Sequence, residues 1–290
     1  MKKSRKLATL GICSALFLGL AACQQQHATS EGTNQRQSSS AKVLWKASYT
    51  NLNNQVSTEE VKSLLSAHLD PNSVDAFFNL VNDYNTIVGS TGLSGDFTSF
   101  THTEYDVEKI SHLWNQKKGD FVGTNCRINS YCLLKNSVTI PKLEKNDQLL
   151  FLDNDAIDKG KVFDSQDKEE FDILFSRVPT EATTDVKVHA EKMETVFSQF
   201  QFNEKARMLS VVLHDNLDGE YLFVGHVGVL VPADDGFLFV EKLTFEEPYQ
   251  AIKFASKEDC YKYLGTKYAD YTGEGLAKPF IMDNDKWVKL

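Results

Sequence analysis

The feature that most constrains the fold is a pair of long apolar segments joined by a short polar turn. Residues 221–231 and 237–243 are rich in Val, Leu and Phe, and the residues between them read Pro-Ala-Asp-Asp-Gly. Segments rich in β-branched and aromatic residues that flank a Gly-containing turn are typical of a β-hairpin. Together with a further apolar segment at 208–214, they predict an antiparallel sheet in the second half of the chain.

The first half carries the signals of helices. Capping residues there precede segments whose apolar residues recur at helical spacing. The predicted helices are one from a capping box at Ser57 to His68 that Pro71 closes, one from Asn72 to about Tyr84, one that Asp106 caps, and one that begins at Cys126. The other predicted elements are strands at 43–49, 149–152 and 171–178, a helix that Thr184 or Asp185 opens, and a short helix that Ser256 caps. Helices followed by an antiparallel sheet predict an α+β fold.

The first 23 residues are typical of a bacterial lipoprotein signal peptide. Basic residues within 2–6 precede an apolar run at 7–20, which is too short to span a bilayer comfortably. The run ends in Leu-Ala-Ala-Cys, which resembles a lipobox, so Cys23 is the predicted lipidation site. An ordinary signal peptide and an uncleaved anchor are the alternatives, and both also imply export. We therefore expect a protein that is lipid-anchored to the outer face of the cell membrane.

Residues 24–40 are rich in Gln, Ser, Thr and Asn and contain almost no large apolar side chain, so they are predicted to be a flexible tether. Residues 41–290 contain no internal repeat and no second polar break. A single globular domain is therefore predicted for 41–290.

The charge pattern and the motifs exclude several classes of function. The net charge is −9, and no basic patch lies outside the signal peptide, which argues against nucleic acid as a partner. The membrane, reached through the lipid, is the expected partner. No metal or cofactor motif is found, and none is expected. The acidic segment 153–158 lacks the ligand pattern of an EF-hand and is interpreted as a polar loop.

Cysteine usage indicates a free thiol. Three cysteines, Cys126, Cys132 and Cys260, remain after the predicted signal peptide and lipidation site. An odd number in an exported protein leaves at least one unpaired. Cys126 and Cys132 cannot bridge within one helix, since six residues place them on different faces. A bridge from either one to Cys260 stays open.

Cys126 lies where a nucleophile would be activated. Asn125 is a good N-cap, so Cys126 is the first residue of the predicted helix, where the helix dipole favours a thiolate. A thiolate nucleophile needs a histidine base, and His226 lies on a predicted strand. The alternative interpretation is that Cys126 is a small buried hydrophobe and that His226 is structural.

Glu241 is the predicted partner of His226. A four-residue hairpin loop would place Val231 opposite Gly236, and His226 would then lie opposite Glu241 on the same face. A buried carboxylate needs a partner, and an imidazole would serve. The alternative is that Glu241 is a surface residue paired with Lys242. In that case a residue of the preceding turn, Asn216 or Asp218, would be the next candidate to orient His226.

Several motifs resemble known families. The lipobox, Asn-Cys-Arg at 125–127, His-Val-Gly at 226–228 and the segment 239–250 are similar to exported streptococcal lipoproteins of the domain-of-unknown-function 4300 family. That resemblance covers essentially all of 41–290 and implies no established activity. More distantly, residues 120–245 resemble papain-like peptidases and amidases of the NlpC type, which implies a papain-like fold with a helical N-terminal half packed on the sheet.

The papain-like resemblance also bears on the oxyanion hole. Those enzymes place a Gln donor six residues before the Cys, where this chain has Asp120, and an ionised aspartate donates no hydrogen bond. The Cys126 backbone N–H and Asn125 are therefore the candidate donors.

The expected activity is hydrolysis of an amide, peptide or ester bond by a thiol. In this hypothesis Cys126 attacks, His226 carries the proton and Glu241 orients the ring. A position in a Gram-positive envelope makes cell-wall peptide the nearest substrate. The alternative function is a non-catalytic surface or ligand-binding lipoprotein in which Cys126 is structural.

Overall fold

An antiparallel sheet organises the part of the chain that the structure describes. The structure is a computed structural model that describes residues 47–100 and 103–290. The predicted signal peptide, Cys23, the tether and the start of the first predicted strand lie outside these residues. The eleven described strands are β1 Ala47–Thr50, β2 Thr98–Ser99, β3 Val138–Thr139, β4 Val178–Pro179, β5 Gln201–Phe202, β6 Arg207–Asp215, β7 Tyr221–Ala233, β8 Gly236–Lys242, β9 Tyr249–Phe254, β10 Phe280–Asp283 and β11 Lys286–Val288.

Eight α-helices occur among the described residues. They are α1 Gln55–Ser66, α2 Pro71–Val88, α3 Val107–Lys118, α4 Cys126–Leu134, α5 Phe151–Gly160, α6 Ser165–Leu174, α7 Val186–Phe197 and α8 Lys257–Lys267. The order of helices first and long antiparallel strands afterwards confirms the predicted α+β class. In the part of the chain that is described, no helix has the length and apolar character needed to cross a membrane.

The main sheet has the strand order β11-β10-β6-β7-β8-β9-β1-β2, and β4 also pairs with β7. Each face of this sheet is covered by its own apolar cluster. The first cluster contains side chains of α1, α2, α4, α6 and α7 together with Val227, Val229 and Val240. The second is covered by α8, whose Cys260 and Leu264 pack with the opposite faces of the same strands. Alternation of side chains along each strand produces this division.

A β-bulge interrupts that alternation immediately before His226. On β7, His226 pairs with Val211 of β6, but the next pair joins Val224 to Val212, so Gly225 is an extra residue. A bulge of this kind re-aims the side chains that follow it. Val224 and Val227 consequently face the first cluster although they are three residues apart, and His226 lies on the opposite face.

The hairpin register differs from the predicted one by two residues. Ala233 pairs with Gly236 around a two-residue turn, and Val231 pairs with Leu238. The predicted pairing of Val231 with Gly236 was therefore wrong. Because side chains repeat with period two along a strand, a shift of two residues preserves the face. Glu241 and His226 thus share a face as predicted, on a diagonal.

Several predicted elements are corrected by the structure. The strand expected at 149–152 is instead the start of α5 with its preceding 3₁₀ turn. The strand expected at 171–178 is instead the end of α6, a short connection and the first residue of β4. A short apolar run does not distinguish a buried strand from a buried helical turn. The segment 153–158, predicted to be a polar loop, lies within α5.

Caps were predicted better than element types. Asp106, Asp185 and Ser256 cap their helices through side-chain acceptance of a first-turn N–H, as predicted. Two caps were misplaced. Asn54, not Ser57, caps α1, and Asp70 caps α2. Pro71 is the first residue of α2 and so opens that helix, because its fixed φ and missing N–H suit that position.

Candidate active site

Cys126 begins α4 as predicted. Asn125 has extended backbone angles, φ −110° and ψ −171°, and its Oδ1 accepts the Ile128 N–H at 3.1 Å. Cys126 is therefore the first helical residue, and it is 6% exposed. Its own N–H has no acceptor within the helix, because the first turn lacks preceding carbonyls. The thiol thus lies beside an anion-favouring helix N-terminus.

Helix α4 is held against the strand of His226 where the hairpin ladder has ended. The β7–β8 pairing runs from Ala233–Gly236 to Val229–Val240 and stops, although β7 and β8 each continue beyond it. Beyond that point α4 side chains bind β7 carbonyls. Arg127 Nη1 donates to Val224 O at 3.0 Å, and Ser130 Oγ donates to Val227 O at 3.2 Å. The N-terminus of α4 is thereby docked across from His226.

The three predicted residues Cys126, His226 and Glu241 are brought together at this point. His226 Nε2 lies 2.5 Å from Glu241 Oε2, and the Cys126 thiol lies close enough to the His226 ring for each to shift the ionisation of the other. Since Glu241 occupies Nε2, Nδ1 is the ring nitrogen that remains for the thiol. The arrangement is a thiol, an imidazole and a carboxylate in series.

The thiol and the imidazole favour their charged forms. Burial opposes charge on Cys126, but His226 and then Arg127 outweigh it and lower the pKa of the thiol. Burial likewise opposes charge on His226, but Cys126 and Glu241 raise the pKa of the imidazole. Both directions favour a thiolate–imidazolium pair. This is the charge state that nucleophilic attack by cysteine requires.

Glu241 is held as a carboxylate by donors from α8. Tyr263 Oη donates to its Oε1 at 2.5 Å, and Lys267 Nζ lies 3.3 Å and 3.4 Å from its two oxygens. Burial would raise the pKa of Glu241, but Lys267, His226 and Tyr263 lower it to about 2. The Tyr268 ring also stacks on His226, with centroids 5.0 Å apart. Helix α8 and the residue after it therefore complete the surroundings of His226 and Glu241.

Glu241 and Lys242 do not form a surface pair. Both are 1% exposed, and successive residues of a strand point to opposite faces. Lys242 Nζ donates to the carbonyls of Thr244, Phe245 and Glu247 and lies 4.2 Å from the centroid of the Tyr84 ring. Lys242 thus holds the loop that follows β8, on the Cys126 side of the sheet.

Asp153 contacts both sequence neighbours of Cys126. Its Oδ1 accepts from Asn125 Nδ2 at 2.7 Å and from Arg127 Nε at 2.9 Å, and its Oδ2 accepts from Arg127 Nη2 at 2.7 Å. Asn125, the predicted oxyanion donor, therefore caps α4 through its oxygen and binds Asp153 through its nitrogen. Asp120, at the papain Gln position, is exposed and pairs with Lys159.

The alternative candidates to orient His226 bind other residues. Asp218 binds Arg177 at 2.8 Å and Asn216 donates to Glu274 O at 3.2 Å, so the orienting group beside His226 is Glu241. Cys126, Cys132 and Cys260 are all free thiols, and neither disulfide left open by the sequence is formed. Among the described residues, no group of three or more His, Cys, Asp and Glu side chains is arranged to hold a metal ion.

Four contributors to the site were missed by sequence reasoning. Tyr263 and Lys267 are four residues apart and therefore share one face of α8, which a helical projection could have revealed once α8 was placed. Tyr268 follows that helix. Asp153 carried no usable signal, because an acidic residue in an acidic segment is ordinarily solvent-exposed.

Comparisons with known proteins place the chain in a family without a described activity. No curated protein and no solved structure matches it, so the comparisons bear on neither the papain-like resemblance nor the signal peptide. The family model described as "Domain of unknown function (DUF4300)" matches residues 48–288, and this chain therefore belongs to the DUF4300 family that its motifs predicted.

Proposed function

We propose that this protein is a thiol hydrolase that cleaves an amide, peptide or ester bond at Cys126, in the manner of papain-like enzymes. The observation that carries the proposal is the series from the Cys126 thiol through His226 to the buried Glu241. Nucleophile, base and orienting group are the three roles that acyl transfer of this kind requires. The lowered pKa of the thiol and the raised pKa of the imidazole agree with it.

The reaction would proceed in two steps. In the first, Cys126 Sγ bonds to the carbonyl carbon, and the imidazolium of His226 gives its proton to the leaving amine or alcohol as the bond to carbon breaks. In the second, His226 takes a proton from water, and the resulting hydroxide attacks the thioester. The acid product then leaves, and the thiolate–imidazolium pair is restored.

The carbonyl oxygen carries negative charge in both steps. The Cys126 N–H, unsatisfied within α4 and at the positive end of the helix, is the proposed principal donor to it. Asn125 is the second proposed donor through its remaining amide hydrogen, while its other contacts keep it in place. Both donors belong to the turn that opens α4, so their positions are fixed together with that of the nucleophile.

We further propose that the protein is an exported lipoprotein anchored through Cys23. The support is the order of basic residues, apolar run and Leu-Ala-Ala-Cys in the sequence. In a Gram-positive envelope this position makes cell-wall peptide the proposed substrate. Cys23→Ala should leave the precursor unprocessed or release the protein, as measured by metabolic lipid labelling and membrane fractionation. Normal processing and retention of this variant would remove the anchor from the proposal.

The experiment that tests the thiol chemistry needs no substrate. Iodoacetamide alkylation of the native protein is followed by peptide mass mapping from pH 4 to 9. Cys126 should be alkylated at mildly acidic pH, whereas Cys132, whose pKa burial raises to about 12, should not. In His226→Ala, alkylation of Cys126 at acidic pH should be lost because the imidazolium partner is gone.

The same experiment separates the hydrolase from a non-catalytic binding lipoprotein. The low exposure of Cys126 is what a structural cysteine would also show. If Cys126 stays unmodified in the native protein, or reacts only at the alkaline pH of an ordinary thiol, it is structural and the hydrolase proposal is wrong. If instead Cys126 is alkylated at mildly acidic pH, purified cell-wall peptides are the first substrates to assay, with Cys126→Ser as the inactive control.

A further inference from the structure

Asp153 is unusual among the acidic residues near the site because it is buried and contacts no part of the proposed triad. It is 1% exposed and lies in the first turn of α5. Its two oxygens accept three hydrogen bonds, all from Asn125 and Arg127. These are the residues immediately before and after Cys126. A single buried carboxylate therefore ties down the chain on both sides of the nucleophile.

The contacts to Arg127 extend this hold to the base. The Arg127 guanidinium binds both oxygens of Asp153 and, through Nη1, donates to Val224 O at 3.0 Å. Val224 lies two residues before His226 and directly before the bulge at Gly225. A bidentate pair fixes the plane of a guanidinium. Asp153 thus sets the direction in which Arg127 reaches the strand of His226.

We propose that Asp153 is a positioning residue of the thiol site: its carboxylate holds the N-cap Asn125 and, through Arg127, fixes helix α4 against the strand that carries His226. This inference rests on the proposed function, since it concerns the same thiol. It assigns a role to the acidic segment that the sequence indicated only as a polar loop. Asp153 itself does not touch the reacting atoms.

The charge of Asp153 and its proposed positioning role predict opposite changes in the pKa of Cys126 when Asp153 is replaced. The charged groups that influence the thiol are His226 on β7, Arg127 on α4, Asp153 on α5 and, on β8, Lys242, whose own pKa responds to Cys126. The negative charge of Asp153 raises the pKa of Cys126. If Asp153 acted only through its charge, Asp153→Asn would make the thiol more acidic. If it acts by positioning, the thiol becomes less acidic, because His226 and Arg127 are no longer held against it.

The test is the pH midpoint of Cys126 alkylation by iodoacetamide in the full chain. In Asp153→Asn the midpoint should rise by about one pH unit, the lower end of what a neighbouring opposite charge contributes. Asp172→Asn is the matched control, because Asp172 is another buried helical aspartate with a single lysine partner, Lys145 at 2.5 Å, away from the site. Its midpoint should equal that of the wild type. An unchanged or lower midpoint in Asp153→Asn would overturn the inference.

A second variant keeps the inference testable if Asp153→Asn does not fold. Arg127→Lys keeps the positive charge but cannot bind both Asp153 oxygens and Val224 O at once. Its midpoint should rise as well, and a wild-type midpoint would count against positioning. Failure of the proposed function is seen separately, since wild-type Cys126 would then show no reactivity at acidic pH.

Discussion

The charged residues of the site alternate in sign from one element to the next. Lys267 faces Glu241, Glu241 faces His226, His226 faces Cys126, and beyond the thiol Arg127 faces Asp153. A buried charge is tolerated when an opposite charge and hydrogen bonds satisfy it. Each member therefore depends on its neighbours, so the charge state of the thiol depends directly on His226 and indirectly on Glu241, which raises the pKa of His226.

Glu241→Gln tests this dependence at the base. The amide preserves the shape and a hydrogen bond but removes the negative charge that raises the pKa of His226. The pKa of His226 should fall, as measured by NMR titration of its ring signals. Glu220→Gln is the matched control, because Glu220 lies 2.6 Å from a different buried histidine, His214. Identical His226 titrations in wild type and Glu241→Gln would exclude Glu241 from the site.

The three residues of the proposed triad could be predicted because each can be recognised from the sequence immediately around it. A cysteine after an Asn N-cap, a strand histidine and an inward-facing glutamate each carry a local signal. Tyr263, Lys267 and Asp153 do not, because their roles arise from contacts with residues more than 20 positions away. The spacing of Tyr263 and Lys267 shows only that they share a face of a helix, and it does not show which residue that face contacts.

At the scale of elements, the site depends on the separation of β7 and β8. Pairing ends at Val229 and Val240, and Gly228 is the next residue of β7. A Cβ at Gly228 would overlap the Phe239 ring and lie 2.8 Å from Val240 O. Only glycine therefore allows β8 to come this close to β7 just before the two strands part.

Gly228→Ala should consequently lower the free energy of unfolding by about 1–3 kcal/mol, since neither a buried ring nor a backbone carbonyl moves freely. Gly265→Ala is the control within α8. Its Cβ would lie 2.7 Å from Cδ1 of Leu290, an exposed side chain. That variant should be neutral or more stable by up to about 1 kcal/mol, because alanine is the better helix former. Urea unfolding of both variants measures the difference, and equal stabilities would contradict the steric explanation.

Elements with caps and clear periodicity were predictable, whereas register was not. Asp106, Asp185 and Ser256 correctly predicted where their helices begin. The apolar residues at the start of 171–178 predicted a strand but lie at the end of α6. The prediction was wrong because a helical turn that is buried on all sides shows no helical periodicity in its apolar residues. The bulge at Gly225, which sets the face of His226, is invisible to a pattern of alternation.

For the whole molecule, the buried Glu241 couples stability to acid. Its pKa is about 2 in the folded protein against an ordinary 4.5. Because the folded-state value is depressed, its contribution is present in full above about pH 4.5 and is lost as the pH falls towards 2. A shift of this size corresponds to about 3 kcal/mol.

The free energy of unfolding of the wild type should therefore fall more steeply between pH 5 and 2 than that of Glu241→Gln, by about 3 kcal/mol over the range. Other carboxylates titrate in both proteins, so the difference between the curves reports Glu241 together with His226, whose pKa Glu241 raises. Urea unfolding at several pH values measures it. Parallel curves would mean that folding does not depress the pKa of Glu241.

Helix α8 is synthesised after every other element of the site. It supplies Tyr263 and Lys267, the donors that keep Glu241 charged beside His226. A nascent chain that ends before Lys257 carries Cys126, His226 and Glu241 but lacks both α8 donors to the carboxylate and the helix that covers the second face of the sheet. On the proposed chemistry, the set of contacts that keeps Glu241 charged and so raises the pKa of His226 is therefore complete only when the last helix docks.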